Sequence, residues 1–146
     1  MIRTLSLLFL VSTFLGVGCA AGYVAPGEKL RRSVFSYNDA VRWQRYEAAA
    51  EHLPPERRQS YLQTQRDAGD SLRILEYELL EVQHNEEDKK ALVTVKFRWT
   101  RMPSNRVETT TIRQTWSYGE DRQWTMTEKE EVEDEPGEPI PFEDRF

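Results

Sequence analysis

The residue whose chemistry is most readily named is Cys19, the only cysteine in the 146-residue chain. A lone cysteine cannot form an intramolecular disulfide, and it supplies one ligand where a structural zinc site needs several. What it offers is a thiol, open to alkylation or acylation, placed directly behind an apolar run. The two histidines, His52 and His84, fall far apart. His52 sits where a helix should end, favourably placed for the negative end of the dipole, and His84 sits in a polar turn. With Cys19 committed elsewhere, neither has a nucleophile to activate. Glu76, Glu78 and Glu81 are the acids nearest a candidate sheet, and strand alternation places them on a solvated outer face. Glu86-Glu87-Asp88 lacks the spacing of an EF-hand loop and reads as a solvated turn. No GxGxxG, P-loop or GxSxG pattern occurs. These absences predict no catalytic residue, no metal site and no cofactor.

The large side chains are more informative. Trp43, Trp99, Trp116, Trp124, Tyr37, Tyr46 and Phe97 could fill a core between helix and sheet, as aromatics commonly do. A subset, Trp43, Tyr46, Phe97, Trp99, Gln114 and Trp116, forms the candidate lining of a pocket, in which Gln114 would orient a ligand. Lys96, Arg98, Arg106 and Arg113 form a basic stripe, but they are interleaved with Glu108 and threonines, as cross-strand pairs would be.

The N-terminus bears on Cys19. Arg3 is followed by an uncharged run from Leu5 to Val17, the pattern of a secretory signal. This run is shorter than the roughly 20 residues that span a bilayer as helix. It ends in Leu15-Gly16-Val17-Gly18-Cys19-Ala20, which resembles a bacterial lipobox, with Gly16 where that pattern usually has Leu. The resemblance implies cleavage after residue 18 and lipidation of Cys19 by acyl chains such as palmitate. Ala20 in place of Asp then implies retention in the outer membrane of the cell envelope, facing the periplasm. An ordinary cleaved signal is the alternative. Residues 19–33, with Gly22, Pro26, Gly27 and the cations Lys29, Arg31 and Arg32, read as a tether close to the membrane surface.

Charge is uneven along the chain. Residues 128–146 carry nine acids and two bases, whereas 19–127 carry sixteen acids and seventeen bases. A nearly neutral body gives no support for nucleic-acid binding. Residues 131–146, acidic and with three prolines, read as a disordered tail.

Residues 34–130 supply the domain that would position these side chains. Ser36-Tyr37-Asn38-Asp39 has the form of a capping box. It predicts a helix from Ser36 through Ala40, Trp43, Tyr46 and Ala50 to Leu53, where Pro54-Pro55 ends it. A second helix opens at Pro55 or Glu56 and closes at Asp67-Ala68-Gly69-Asp70. The period then changes to two. Strands are predicted over 71–83, with Ile74-Leu75 and Leu79-Leu80 marking a bulge, then over 91–99, 107–118 and 123–127. The expected architecture is α+β, with two N-terminal helices on a curved four-stranded antiparallel sheet.

This order of elements, with Ala40-Val41-Arg42-Trp43 and Tyr46-Glu47-Ala48-Ala49 on the first helix and Trp-rich hairpins in the sheet, resembles an NTF2-like or cystatin-like domain. The resemblance implies a cone around a pocket. It leads to the expectation of a lipid-anchored, non-catalytic binding or assembly module, with an envelope protein or a second copy met through the sheet as partner. The alternative is a small-molecule-binding domain or a SnoaL-type enzyme using the pocket.

Overall fold

A computed structural model describes residues 25–104 and 106–132. Cys19, the apolar run before it and residues 133–146 lie outside the described residues, so the lipid anchor and most of the acidic tail are not placed.

Helix α1 spans Pro26–Arg42, eight residues of which precede the expected domain. Three causes start it early. Pro26 enters at the first helical position, where its fixed φ suits the helix and its missing N–H costs nothing. Glu28 occupies the first turn, a favourable place for an anion, and accepts hydrogen bonds from Arg31 and Arg32 at 3.1 and 3.0 Å. Above all, Leu30, Val34 and Tyr37 recur at helical spacing and are buried, each contributing about 1.5–3 kcal/mol if fully removed from water. The cations that suggested a tether belong to this helix: Arg31 and Arg32 pair with Glu28, while Lys29 Nζ donates to the Tyr118 hydroxyl and the Arg122 carbonyl at 3.4 and 3.3 Å. Its first turn is tied down further, since the Trp124 indole Nε1–H donates to the Pro26 carbonyl at 2.8 Å. Ser36 is therefore mid-helix rather than a cap, and its hydroxyl pairs with His52 Nε2 at 2.9 Å.

The long first helix is also broken. Gln44 takes a left-handed conformation, φ 55°, and its side-chain amide donates to the Leu72 carbonyl at 2.8 Å. The chain restarts as the short helix α2, Tyr46–Ala50. This turn throws Trp43 outward, leaving it 64% exposed with the Arg42 guanidinium carbon 5.0 Å from its ring centroid. Helix α3, Pro55–Ala68, keeps its expected bounds and ends at Gly69, φ 66°. It buries no residue completely, and Tyr61 is its half-buried contact with the core.

Four antiparallel strands follow in sheet order β1-β2-β3-β4: Leu72–Asn85, Lys90–Arg101, Val107–Tyr118 and Trp124–Val132. Register shifts fall between Ile74 and Glu76 and between Leu79 and Glu81, where the doubled aliphatics break the alternation. They bend β1 over the helices. Asn85 Oδ1 accepts from the backbone N–H of Glu87 and Asp88 and closes the β1–β2 turn. Strand β4 runs five residues beyond the expected end. One of its acids is paired: Glu130 lies opposite Arg113 and bonds it at 3.2 Å.

The helices cover one face of the sheet. Leu79, Ala91, Val93, Val95, Phe97, Trp116, Trp124 and Met126 meet Leu30, Val34, Tyr37, Ala40, Ala49 and Leu53 in one buried cluster. The other face is polar. Glu76, Glu78 and Glu81 are exposed, and Arg98 pairs with Glu76. No helix among the described residues is long and apolar enough to cross a membrane.

Candidate functional site

The core does not fill the whole space between sheet and helices. Towards the Leu72, Arg101 and Thr110 ends of β1, β2 and β3, a cavity of about 290 Å³ opens between the inner sheet face, α1 and α3. That size lies at the low end of the roughly 300–1,000 Å³ typical of ligand sites. Its body is apolar: Val41 from α1, Leu72 and Ile74 from β1, Phe97 and Trp99 from β2, and Ile112 from β3. Larger depressions of about 440 and 510 Å³ involve Leu92 and Thr115 of the sheet, but exposed side chains line them for the most part.

Polar groups converge on the apolar body. The Trp99 indole Nε1–H donates to Thr110 Oγ1 at 3.0 Å, fixing one wall. Gln114 is 1% exposed and belongs to a closed network. Its Nε2–H donates to Asn38 Oδ1 at 2.8 Å, Asn38 Nδ2 donates to the Val34 carbonyl at 2.8 Å, and the Trp116 indole donates to Gln114 Oε1 at 3.2 Å. Buried amides satisfied in this way rigidify a core. Tyr61 is different. It lines the cavity, and its hydroxyl is buried with no hydrogen-bond partner among the described residues. Burial raises the pKa of Tyr61 well above the usual phenol range, with Tyr37 and Tyr46 adding to the effect. It stays a neutral O–H donor.

Two cations complete the wall. Arg101, at the end of β2, lies with its guanidinium carbon 5.9 Å from the Trp99 ring centroid. Lys129 lies opposite Gln114 on β4 and so points toward the helices, with Nζ 5.8 Å from the Tyr61 ring centroid. Burial of the ammonium, and next the nearby Arg57, lower the Lys129 pKa, even though much of the residue's surface remains exposed. Among the described residues the cavity lining includes no Asp, Glu or His. No group of three or more potential metal ligands occurs among the described residues.

Of the six residues named from sequence, Phe97, Trp99 and Gln114 line this cavity. Trp43 does not, because the break at Gln44 turns it to solvent. Trp116 is wholly buried in the core, edge-on to Tyr37 at 5.9 Å. Tyr46 stands behind the wall, edge-on to Tyr61 at 6.5 Å. The residues missed were Tyr61, Ile74, Arg101 and Lys129. Ile74 and Arg101 continue faces that strand alternation had identified. Lys129 had been assigned to the acidic end of the chain, and nothing in its neighbourhood marks it as inward.

His52 lies just beyond the end of α2, as expected, and is half-buried. It lies 6.4 and 6.2 Å from the Tyr37 and Trp116 rings. Burial lowers its pKa, with Glu51 partly opposing. Its carbonyl accepts from Met126 N–H at 2.8 Å, pinning the α2–α3 turn to β4.

No protein-family model matches the chain, and no curated protein matches it by sequence. Solved structures do. A ketosteroid isomerase-like protein from Erwinia carotovora atroseptica aligns with a TM-score of 0.54 at 12% identity, over 71% of this chain and 94% of its own. A structure from Catenulispora acidiphila aligns with a TM-score of 0.53 at 12% identity, over 70% and 88%. The intermembrane space region of the chloroplast protein ARC6 aligns with a TM-score of 0.50 at 16% identity, over 76% and 98%. At such identities the likeness is one of fold alone. Three helices on a curved four-stranded antiparallel sheet, open at one end, make this chain an α+β cone of the NTF2-like kind.

Proposed function

We propose that the domain is a non-catalytic receptor for a small molecule with an apolar, ring-sized body, held in the cavity between β1–β3, α1 and α3. One observation carries this reading. The cavity has apolar walls and orienting polar groups but no acid or histidine in its lining. A general base must reach the proton it removes and have a pKa near the working pH. Neutral Tyr61, Thr110 and Gln114 orient; they do not abstract. We further propose, from the lipobox resemblance, that Cys19 carries the lipid that displays this receptor on an envelope membrane. Because α1 begins at Pro26, seven residue steps then separate the lipid from the domain, at most about 25 Å of extended chain.

The test uses the indole N–H signals of the four tryptophans. Trp99 faces the cavity, Trp116 and Trp124 are in the core, and Trp43 is outside. Naphthalene-sized fragments should shift the Trp99 indole resonance selectively, and Ile112→Phe, which fills the cavity, should suppress the shift. A panel that leaves Trp99 unmoved, or moves all four alike, refutes the reading. For the anchor, mass spectrometry of the chain from native membranes should find an acylated N-terminal Cys19; an unmodified N-terminus at any other residue refutes it.

The reading as a sheet-mediated homodimer stands second. The outer sheet face carries the Arg98–Glu76 and Arg113–Glu130 pairs, whose charges would have to be desolvated in such an interface.

A further inference from the structure

The charge around the cavity is one-sided. Among the described residues, Arg101 and Lys129 are its only ionisable lining residues apart from the two tyrosines, and both are cations. Among the described residues neither has a carboxylate partner in the lining, whereas four arginines elsewhere have one: Arg31 and Arg32 with Glu28, Arg98 with Glu76, Arg113 with Glu130. The cavity also holds a buried donor without an acceptor, the Tyr61 hydroxyl. A buried polar atom left without a partner is uncommon in a folded protein and calls for an explanation. Two unpaired cations and an unused O–H donor beside an apolar slot are complementary to one kind of molecule.

Resting on the receptor reading above, we propose that the cavity selects an organic anion: a carboxylate carried on a one- or two-ring apolar body. The ring system would lie between Phe97, Trp99, Ile74 and Ile112. The carboxylate would take charge-assisted hydrogen bonds from Arg101 or Lys129 and accept from Tyr61. An arriving anion would compensate Lys129, whose ammonium is held among an aromatic ring and Arg57 and is for that reason easier to deprotonate than an ordinary lysine. Positive potential at an apolar slot also discriminates against cationic ligands of the same shape. The cavity's modest size excludes large polycyclic bodies.

The decisive comparison uses two probes of nearly the same shape, 2-naphthoate and the neutral 2-naphthamide, titrated calorimetrically into the full chain at low and at 0.5 M salt, a concentration at which exposed charges are strongly screened. The carboxylate should bind at least tenfold more tightly than the amide, and salt should narrow the gap. Arg101→Gln and Lys129→Gln should each lower carboxylate affinity more than amide affinity and so erode the preference severalfold. Arg101 and Lys129 are both surface-accessible, so circular dichroism should show both variants folded. Equal binding of the two probes, or a preference unchanged by both substitutions, overturns the anion selection while the receptor reading stands. If neither probe binds and the neutral fragments also fail to move Trp99, both readings fall.

Discussion

The buried amide pair is the most exacting place to test how this domain is held together. In Gln114→Leu the new side chain has a similar volume, so the cost comes from hydrogen bonding rather than from a cavity. Two buried atoms lose their partners: Asn38 Oδ1, which accepts from Gln114 Nε2 at 2.8 Å, and Trp116 Nε1, which donates to Gln114 Oε1 at 3.2 Å. At about 1–3 kcal/mol for each orphaned buried group, the substitution should cost about 2–6 kcal/mol. That is a large share of the roughly 5–15 kcal/mol that stabilises a domain of this kind. Asn38→Leu orphans Gln114 Nε2 and removes the bond to the Val34 carbonyl, for about 1–3 kcal/mol. The double substitution leaves only the Trp116 indole unpaired. It should therefore cost less than the sum of the two single changes, with a coupling of about 1–3 kcal/mol. Urea unfolding followed by tryptophan fluorescence on the four chains measures every term. Additive single effects, or a Gln114→Leu cost below about 1 kcal/mol, would refute the network as a unit.

Three further outcomes follow from the packing. Trp116→Ala, deleting a wholly buried ring, should cost about 3–5 kcal/mol, whereas Trp43→Ala should fall within about 0.5 kcal/mol of the parent; thermal unfolding of the two variants separates them. The lowered His52 pKa means the unfolded chain binds its proton first, so stability is full above the ordinary histidine value of about 6.5 and declines as the pH falls through the lower folded value. His52→Gln should flatten that part of the pH–stability curve, and a curve unchanged by the substitution contradicts the burial. Finally, Arg113→Gln at the exposed β3–β4 pair should change stability by less than about 1 kcal/mol, so that a large loss in urea unfolding would mean the end of β4 depends on it.

Much of this architecture was legible because strands declare themselves locally. Ala91, Val93, Val95, Phe97 and Trp99 alternate without exception, and the doubled aliphatics at Ile74-Leu75 and Leu79-Leu80 sit where the register slips. The helical part was less legible. Lys29, Arg31 and Arg32 disguised the stripe Leu30, Val34, Tyr37, whose spacing does give the start of α1. The break at Gln44 carries no signal at all: it depends on the Leu72 carbonyl 28 residues away. The candidate site divides in the same way. Phe97, Trp99 and Gln114 followed from strand faces, while Trp43 and Trp116 were misplaced because aromatic residue type alone does not say which side of a helix break, or which depth of a core, a ring occupies.

By itself, then, the sequence determined the element types and the antiparallel sheet with its inward face. Period and turn residues act over a few positions, which is why a linear reading reaches them. Only the tertiary structure decided that a gap remains between α3 and the sheet, that the Tyr61 hydroxyl is buried there without a partner among the described residues, and that Arg101 and Lys129, from different strands, both line it. Those properties belong to the space between distant elements rather than to any single motif, which is why no local pattern reveals them.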